Sequence, residues 1–457
     1  MNCKKILAGI LSAAIVFTTM AIPAFADDNG NVARIGTISY KTLTAAITAV
    51  SDNETVTLLS DVTESITVEE GKNITLDLNG KTLTNVDGKD TITNHGTLSI
   101  KDSLNDKGTV DNVSNGKAAL VNYEGGNVTL NGGMYTKSAE TSSSDGYYII
   151  RNWGIMTINN GTVEKKVYKS SAIENGYYSG DTFDNHTGIT TANVNVKLTI
   201  NGGTFKKGNI TVKNDEWGEL EITGGTFEQN KKYCVQNWNK ATISGGTFTG
   251  ATSITVVVLN ACNNNTSSLG LLTITDGTFN SWVMNKSTDY GNGTILLFGG
   301  AFKSSARLKN YCAPGYEVVK NAANTYYIVK EKEITWKYDT DSGIYTADGN
   351  EYGVMRFMFS SDIDKAAVAN IGIKYISSVI TDPVDGAISN GKEFTADVEG
   401  KNAVQGDVNR IDAANNNTYY AVAFIKALNG KTYWSAPISC ALDATHTLTG
   451  YTEGGNN

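Results

Sequence analysis

Positive charge is scarce in this chain, and so are the residues that most often build metal sites. Lys and Arg number 38 against 46 Asp and Glu, with 3 His and 5 Cys in 457 residues. The net charge of −8 becomes −10 once Lys4 and Lys5 of the leader described below are removed. Such a carboxylate surplus argues against nucleic acid or an anionic membrane as partner. Arginine is too dispersed (Arg34, Arg151, Arg307, Arg356, Arg410) to form an anion site. After residue 26, no run approaches the roughly 20 apolar residues of a membrane helix, so no transmembrane segment is expected. Neither His nor Cys shows metal-ligand spacing, and the calcium-binding nonapeptide Gly-Gly-x-Gly-x-Asp is missing. No metal and no cofactor is therefore expected. Cys3 lies in the leader. Cys234, Cys262, Cys312 and Cys440 are far apart and irregularly spaced. Their even count permits disulfides in an exported chain, but buried free thiols fit the spacing better.

What is present begins with "MNCKKILAGILSAAIVFTTMAIPAFA" (1–26): a basic start, an apolar run, and small residues at Ala24 and Ala26. This is the pattern of a secretory signal cleaved after Ala26, so a secreted, extracellular protein is expected.

The next feature is an internal repeat. Aligned on one glycine, the matches are "VTLNGGMY", "MTINNGTV", "LTINGGTF", "LEITGGTF", "ATISGGTF", "LTITDGTF" and "ILLFGGAF". The anchors are Gly133, Gly161, Gly203, Gly225, Gly246, Gly277 and Gly300, with gaps of 28, 42, 22, 21, 31 and 23. The base period is about 22 residues, lengthened by insertions. Three residues before each anchor stand Leu130, Ile158, Ile200, Ile222, Ile243, Ile274 and Leu297. Five before stand Val128, Met156, Leu198, Leu220, Ala241, Leu272 and Ile295. Two after stand Tyr135, Val163, Phe205, Phe227, Phe248, Phe279 and Phe302. Apolar residues two apart with Thr or Ser between are the pattern of a strand with one buried face. The glycine break then turns the chain into a further short strand.

A third element precedes these two and reads apolar-x-Asn: Ile92 with Asn94, Leu120 with Asn122, Ile150 with Asn152, and Ile173 with Asn175. It continues as Val212 with Asn214 and Val235 with Asn237. Leu259 before Asn260 falls one residue out of register, and Val283 stands with Asn285. Three short strands per repeat cannot close a core alone, so they predict a stacked parallel solenoid. Neighbouring strands about 4.8 Å apart make the six steps from Gly133 to Gly300 a rod of roughly 29 Å. An Asn at the same turn of each coil can pair with its neighbours, as a buried polar group must.

With that motif, residues 54–330 resemble the right-handed parallel β-helix of the pectate-lyase-like superfamily, with an Asn ladder at Asn94, Asn122, Asn152, Asn175, Asn214 and Asn237. The repeat style resembles adhesin-like surface proteins of Gram-positive bacteria. The resemblance implies an all-β fold of about 9–11 coils. It leaves function open, because that fold hosts lyases, hydrolases, adhesins and tailspikes.

The ends differ in texture. "SYKTLTAAITAV" (39–50) spaces Leu43, Ala46, Ile47 and Val50 as a short capping helix. "YCAPGYEVVKNAANTYYIVKE" (311–331) predicts a closing hairpin. The domains are thus a signal peptide (1–26), a capped β-helix (27–332), a β-sandwich (333–442) and a polar tail (443–457), expected to be unstructured. In the third, "TYYAVAFIKALNGKTYWSAPISC" alternates about Asn429-Gly430, a hairpin cue. With Tyr420, Val422 and Phe424 on one face, it resembles the final hairpin of fibronectin type III and other Ig-like sandwiches. The tail carries no Leu-Pro-x-Thr-Gly sorting motif, membrane anchor or polybasic end, so any surface association is expected to be non-covalent.

Lyase chemistry of this fold needs clustered acids for calcium and a nearby base; hydrolysis needs paired carboxylates. No Asn-Thr-Asp, Asp-Asp and Gly-His-Gly series occurs. The candidates for an enzyme are Asp181, Asp184 and His186 in the longest insertion (176–196), with Asp215, Glu216 and Glu219 in the next coil; the simpler reading makes them solvated loop charges. His95 and His446 read as turn and tail residues. Aromatics are more regular. His95, Tyr123, Trp153 and Trp238 directly follow a ladder Asn, and Tyr177 and Trp217 follow by two and three residues. Pointing outward, such rings would form a stripe that stacks on sugar faces; alternatively they pack on one another or beneath insertions. The expectation is a non-catalytic, adhesin-like protein binding a polysaccharide, a glycoprotein glycan or a host surface protein through Tyr123, Trp153, Tyr177, Trp217 and Trp238. The alternatives are a polysaccharide lyase or glycoside hydrolase, and a stalk presenting the sandwich.

Overall fold

The computed structural model describes residues 30–104, 107–139, 147–166, 169–177, 195–229, 231–252, 255–262, 269–286, 293–347, 349–363, 365, 368–376, 392–396, 403–411, 418–427, 430–443, 445 and 447–453. The signal sequence, Asp181, Asp184, His186, Asn429 and His446 lie outside them.

The described chain is predominantly β, and after an antiparallel start at Ala33–Ile35 the period-2 text from Thr55–Leu58 to Ala301–Phe302 forms parallel sheets. In one, Val128 and Leu130 stand beside Met156 and Ile158, and Leu220 and Ile222 beside Ala241 and Ile243. Strands such as Asn127–Thr136 and Lys240–Gly250 run on through the glycine break. The break works because Gly246 takes φ +94°, which a side chain would resist. The apolar-x-Asn text forms a second sheet of nine strands in repeat order, from Ile66–Val68 to Trp282–Asn285. Both sheets bury their alternate residues in one continuous core. Within it Phe205, Phe227, Phe248, Phe279 and Phe302 stack face to face at 4.7, 4.7, 4.9 and 4.8 Å. That spacing is the strand separation itself, so identical residues at identical offsets stack without adjustment.

The asparagines form a ladder with a direction. Asn94 Nδ2 donates to Asn122 Oδ1 at 2.8 Å, Asn122 to Asn152 at 2.8 Å, and Asn152 to Asn175 at 2.7 Å. Asn175 donates to Asn214 at 2.7 Å, and Asn214 to Asn237 at 2.8 Å. It continues beyond the six expected members. Asn237 donates to Asn260 at 2.7 Å, and Asn260 to Asn285 at 2.8 Å. Val258, rather than Leu259, lies opposite Val235, which restores the register that the sequence reading lost. At the first rung Val68 stands beside Asn94, so no amide lies below, and among the described residues Asn94 Oδ1 has no partner. After Asn122 and Asn214 the turn is closed by a glycine for a steric reason. A Cβ on Gly126 or Gly218 would sit 2.4 or 2.5 Å from the Oδ1 of Asn122 or Asn214. A second amide row on the exposed side runs the opposite way: Asn201 donates to Asn159 at 2.9 Å and Asn159 to Asn131 at 2.8 Å.

Both ends are covered as expected. Helix Leu43–Ala49 buries Leu43, Ala46 and Ile47, and its first amides at Leu43 and Thr44 are capped by the Glu64 carboxylate at 2.8 Å. The hairpin Tyr316–Lys320 with Tyr327–Glu331 adds antiparallel to the last repeat through Ala301–Ile328. The backbone N–H of Asn285, at the open end of the ladder sheet, donates to the Tyr311 hydroxyl at 3.2 Å.

From Trp336 onward the strands are antiparallel, in a three-stranded and a six-stranded sheet. Met355, Phe357 and Phe359 of one share a core with Ile371, Ile373, Ala421, Ala423 and Ile425 of the other. Val422 and Phe424 are also buried, on the opposite face of their strand, where Phe424 meets Trp434 at 5.2 Å. Strand Ala403–Ile411 was not anticipated. Part of the tail expected to be unstructured is also a strand: Leu448–Glu453 pairs with Ile438–Leu442, and Leu448 packs on the core. Among the described residues no disulfide joins Cys234, Cys262, Cys312 and Cys440, of which Cys234, Cys262 and Cys440 are buried; burial pushes the Cys440 thiol up to about 12.

Removing one rung takes one hydrogen-bonding partner from each of two buried amides, as when Asn214 is lost from between the Asn175 donor and the Asn237 acceptor. Asn214→Ala should therefore lower stability by about 2–5 kcal/mol in urea unfolding, against less than about 0.5 kcal/mol for the exposed Asn131→Ala. Equal effects would show that the inner ladder has no special weight.

A charged and aromatic candidate site

Strand alternation decides what lies on the outer face of the ladder sheet. The residue before each ladder Asn points away from the core. In successive repeats that position holds Val121, Arg151, Glu174, Lys213 and Gln236 in direct register. Three charges of alternating sign thus stand side by side. The first two are buried, Arg151 at 3 % and Glu174 at 1 % exposure, and the Lys213 side chain is 18 % exposed. Arg151 Nε donates to Glu174 Oε2 at 2.6 Å, and its guanidinium hydrogen-bonds to the Tyr147 hydroxyl. The same guanidinium lies 4.2 Å from the Trp153 ring centre and 5.1 and 5.4 Å from those of Tyr147 and Tyr148.

Asp215 and Glu216 were selected from sequence as loop carboxylates. Both are buried, at 1 % and 2 % exposure. Asp215 Oδ2 lies 2.8 Å from Lys213 Nζ. Glu216 accepts the Tyr177 backbone N–H on its own carbonyl at 3.0 Å, and among the described residues its Oε2 has no hydrogen-bonding partner. Directly after them Trp217 is held at φ +71°, a left-handed conformation that costs a non-glycine residue about 1 kcal/mol. Glu174 escaped the sequence reading because it sits inside a strand. Its signal was the shared offset with Arg151 and Lys213. Burial is the main reason that the Asp215 carboxyl is pushed up to about 7; Lys213 pulls it down, and Glu174 and Glu216 raise it. Burial likewise raises Glu174, opposed first by Arg151.

The aromatic row exists but is not the open stripe expected. His95 stacks on Tyr123 at 4.6 Å, Tyr123 meets Trp153 edge-on at 5.1 Å, and Trp153 stacks on Tyr177 at 5.8 Å. Trp153 and Tyr177, expected to face solvent, are 2 % and 5 % exposed. They pack with Ala118, Val121 and Val196, and Tyr123, Tyr147 and Trp217 flank that cluster. His95, Tyr123, Trp217 and Trp238 keep partial exposure, and Lys286 Nζ stands 5.7 Å from the Trp238 ring centre.

No protein-family model matches the chain, and neither does any curated protein or solved structure. Among the described residues no helix is long and apolar enough to cross a membrane.

The carboxylates predict an inverted pH response. An Asp in the unfolded chain titrates near ~4, whereas Asp215 titrates near 7 in the fold. Between those values the native chain holds a proton that the unfolded chain has released. Stability from this group is full at acid pH and is lost as pH rises through about 7. The melting temperature should fall as pH is raised from about 5 to about 8, and Asp215→Asn should flatten that slope. An identical slope in the variant would reject the assignment.

Proposed function

We propose that the chain is a secreted, non-catalytic, adhesin-like protein that binds glycans along its aromatic edge. In this reading the repeats wind as a right-handed parallel β-helix followed by a fibronectin type III-like sandwich. The observation that carries the proposal is the row of rings beside the asparagine ladder, of which Tyr123, Trp217 and Trp238 retain exposed surface. Trp153 and Tyr177 support that row from beneath rather than by touching a ligand. Sugar C–H faces stack on such rings, while neighbouring polar groups bond the hydroxyls. The apolar-x-Asn repeat and the parallel register support the helical winding, and the leader supports export. Burial of Asp215 and Glu216 weighs against a lyase or hydrolase at these carboxylates, because a polymer cannot reach them.

Affinity electrophoresis in gels containing starch, mucin or plant polysaccharide tests the proposal. Retardation is expected on at least one, weakened about tenfold by Trp238→Ala or Tyr123→Ala. Unretarded migration of the wild type on all of them would sink it.

A further inference from the structure

Strand Trp336–Ala347 forms an edge of the three-stranded sheet. It pairs antiparallel with Asn350–Ser361 on one side, and among the described residues no strand lies on the other. At 12 residues it is about twice the common strand length, and it contains no proline. Trp336 and Tyr338 pack on the core between the two sheets, while Lys337, Asp339 and Asp341 are exposed on the opposite face. A long, regular edge offers its backbone donors and acceptors to any strand that comes alongside. Here two of the donors are already taken. The Thr340 backbone N–H donates to Asp339 Oδ1 at 2.9 Å, and the Ser342 N–H to Asp341 Oδ1 at 2.8 Å. Thr340 and Ser342 are alternate residues, so both N–H groups face one side of the strand, the side that Asn350–Ser361 leaves open. Asp341 turns to its own neighbour although Arg356 stands opposite it in register. That guanidinium is held by Asp407 through two bonds of 2.9 and 3.1 Å.

The strand is also complementary to itself. Two copies that continue the sheet antiparallel set residues of the same face opposite each other. Centred on Tyr338, the pair puts Lys337 of each copy opposite Asp339 of the other, and Trp336 opposite Thr340. Centring on Lys337, Asp339, Thr340 or Asp341 sets like charges opposite instead, which is unfavourable. In the favoured register the Thr340 N–H is the donor for the carbonyl of the second copy's Trp336. It is the donor that Asp339 occupies. We infer that Trp336–Ala347 is a docking edge for a second copy of this chain, held shut by the Asp339 and Asp341 carboxylates on the donors that the second strand would use. The length of these side chains matters as well as their charge. Asp and Asn are short enough to bond neighbouring backbone, whereas Glu is not a residue that does so. This interface lies in the sandwich and is independent of glycan binding by the repeats.

Sedimentation equilibrium of the purified protein tests the assignment, and the exposed positions changed leave the core untouched. The wild type should be monomeric. Asp339→Glu combined with Asp341→Glu keeps both charges and the pairing with Lys337 but gives up the caps; its mass should rise about twofold. Asp339→Asn combined with Asp341→Asn removes the charges, keeps the capping oxygens and should stay monomeric. Adding Lys337→Glu to the Glu pair sets like charges across the new interface and should abolish the dimer. Lys337→Glu with Asp339→Lys and Asp341→Glu makes the charges opposite again and should restore it. A monomeric Glu pair overturns the proposal, as does a dimeric wild type or a dimeric Asn pair. A dimer indifferent to Lys337→Glu, or one that the charge swap fails to restore, overturns the register and with it the assigned partner.

Discussion

A buried amide must be hydrogen-bonded, and that requirement organises the repeats. Each ladder asparagine donates to the next, so each repeat must present its Asn at the same height and angle as its neighbours. Hydrophobic burial alone would tolerate a slip of two residues along a strand, since the buried face would be unchanged. The amide row does not tolerate it. The phenylalanine stack, the glycines that clear space for the Oδ1 atoms, and the placement of Arg151, Glu174 and Lys213 side by side all inherit that register.

Where the ladder governs, the fold was legible in the sequence. Core positions five and three before each anchor glycine, and two after it, are all buried, and the helix and hairpin at the ends lie where spacing put them. The reading slipped at Asn260 because "VVVLN" offers three apolar residues, and only pairing with Val235 selects Val258. It failed again at Ala403–Ile411 and Leu448–Glu453. No repeat marks those strands, and sheet pairing between distant segments decides them.

The site was less legible because exposure is a tertiary property. His95, Tyr123, Trp153 and Tyr177 meet ring to ring, but Trp153 and Tyr177 are covered by neighbours from other repeats and by Tyr147. Asp215 and Glu216 looked like loop charges, since nothing local shows that a turn is buried. Glu174 was hidden by its strand, although its offset matched two charged neighbours. Together these groups form a compact, low-dielectric charge set in which burial outweighs pairing for Asp215 and Glu174.

The inner ladder also has a polarity. Every rung donates toward the C-terminal end, so among the described residues the row begins with an unfilled acceptor at Asn94 and finishes with Asn285 giving its hydrogens to the Gly293 carbonyl. A repeat duplicated or deleted whole meets the same donor on its N-terminal side and the same acceptor on its C-terminal side. Length is therefore a nearly neutral variable for this stack of parallel strands, while its two ends are not interchangeable. A lineage carrying such a chain can lengthen or shorten its reach by unequal recombination, provided the capping segments at both ends are kept.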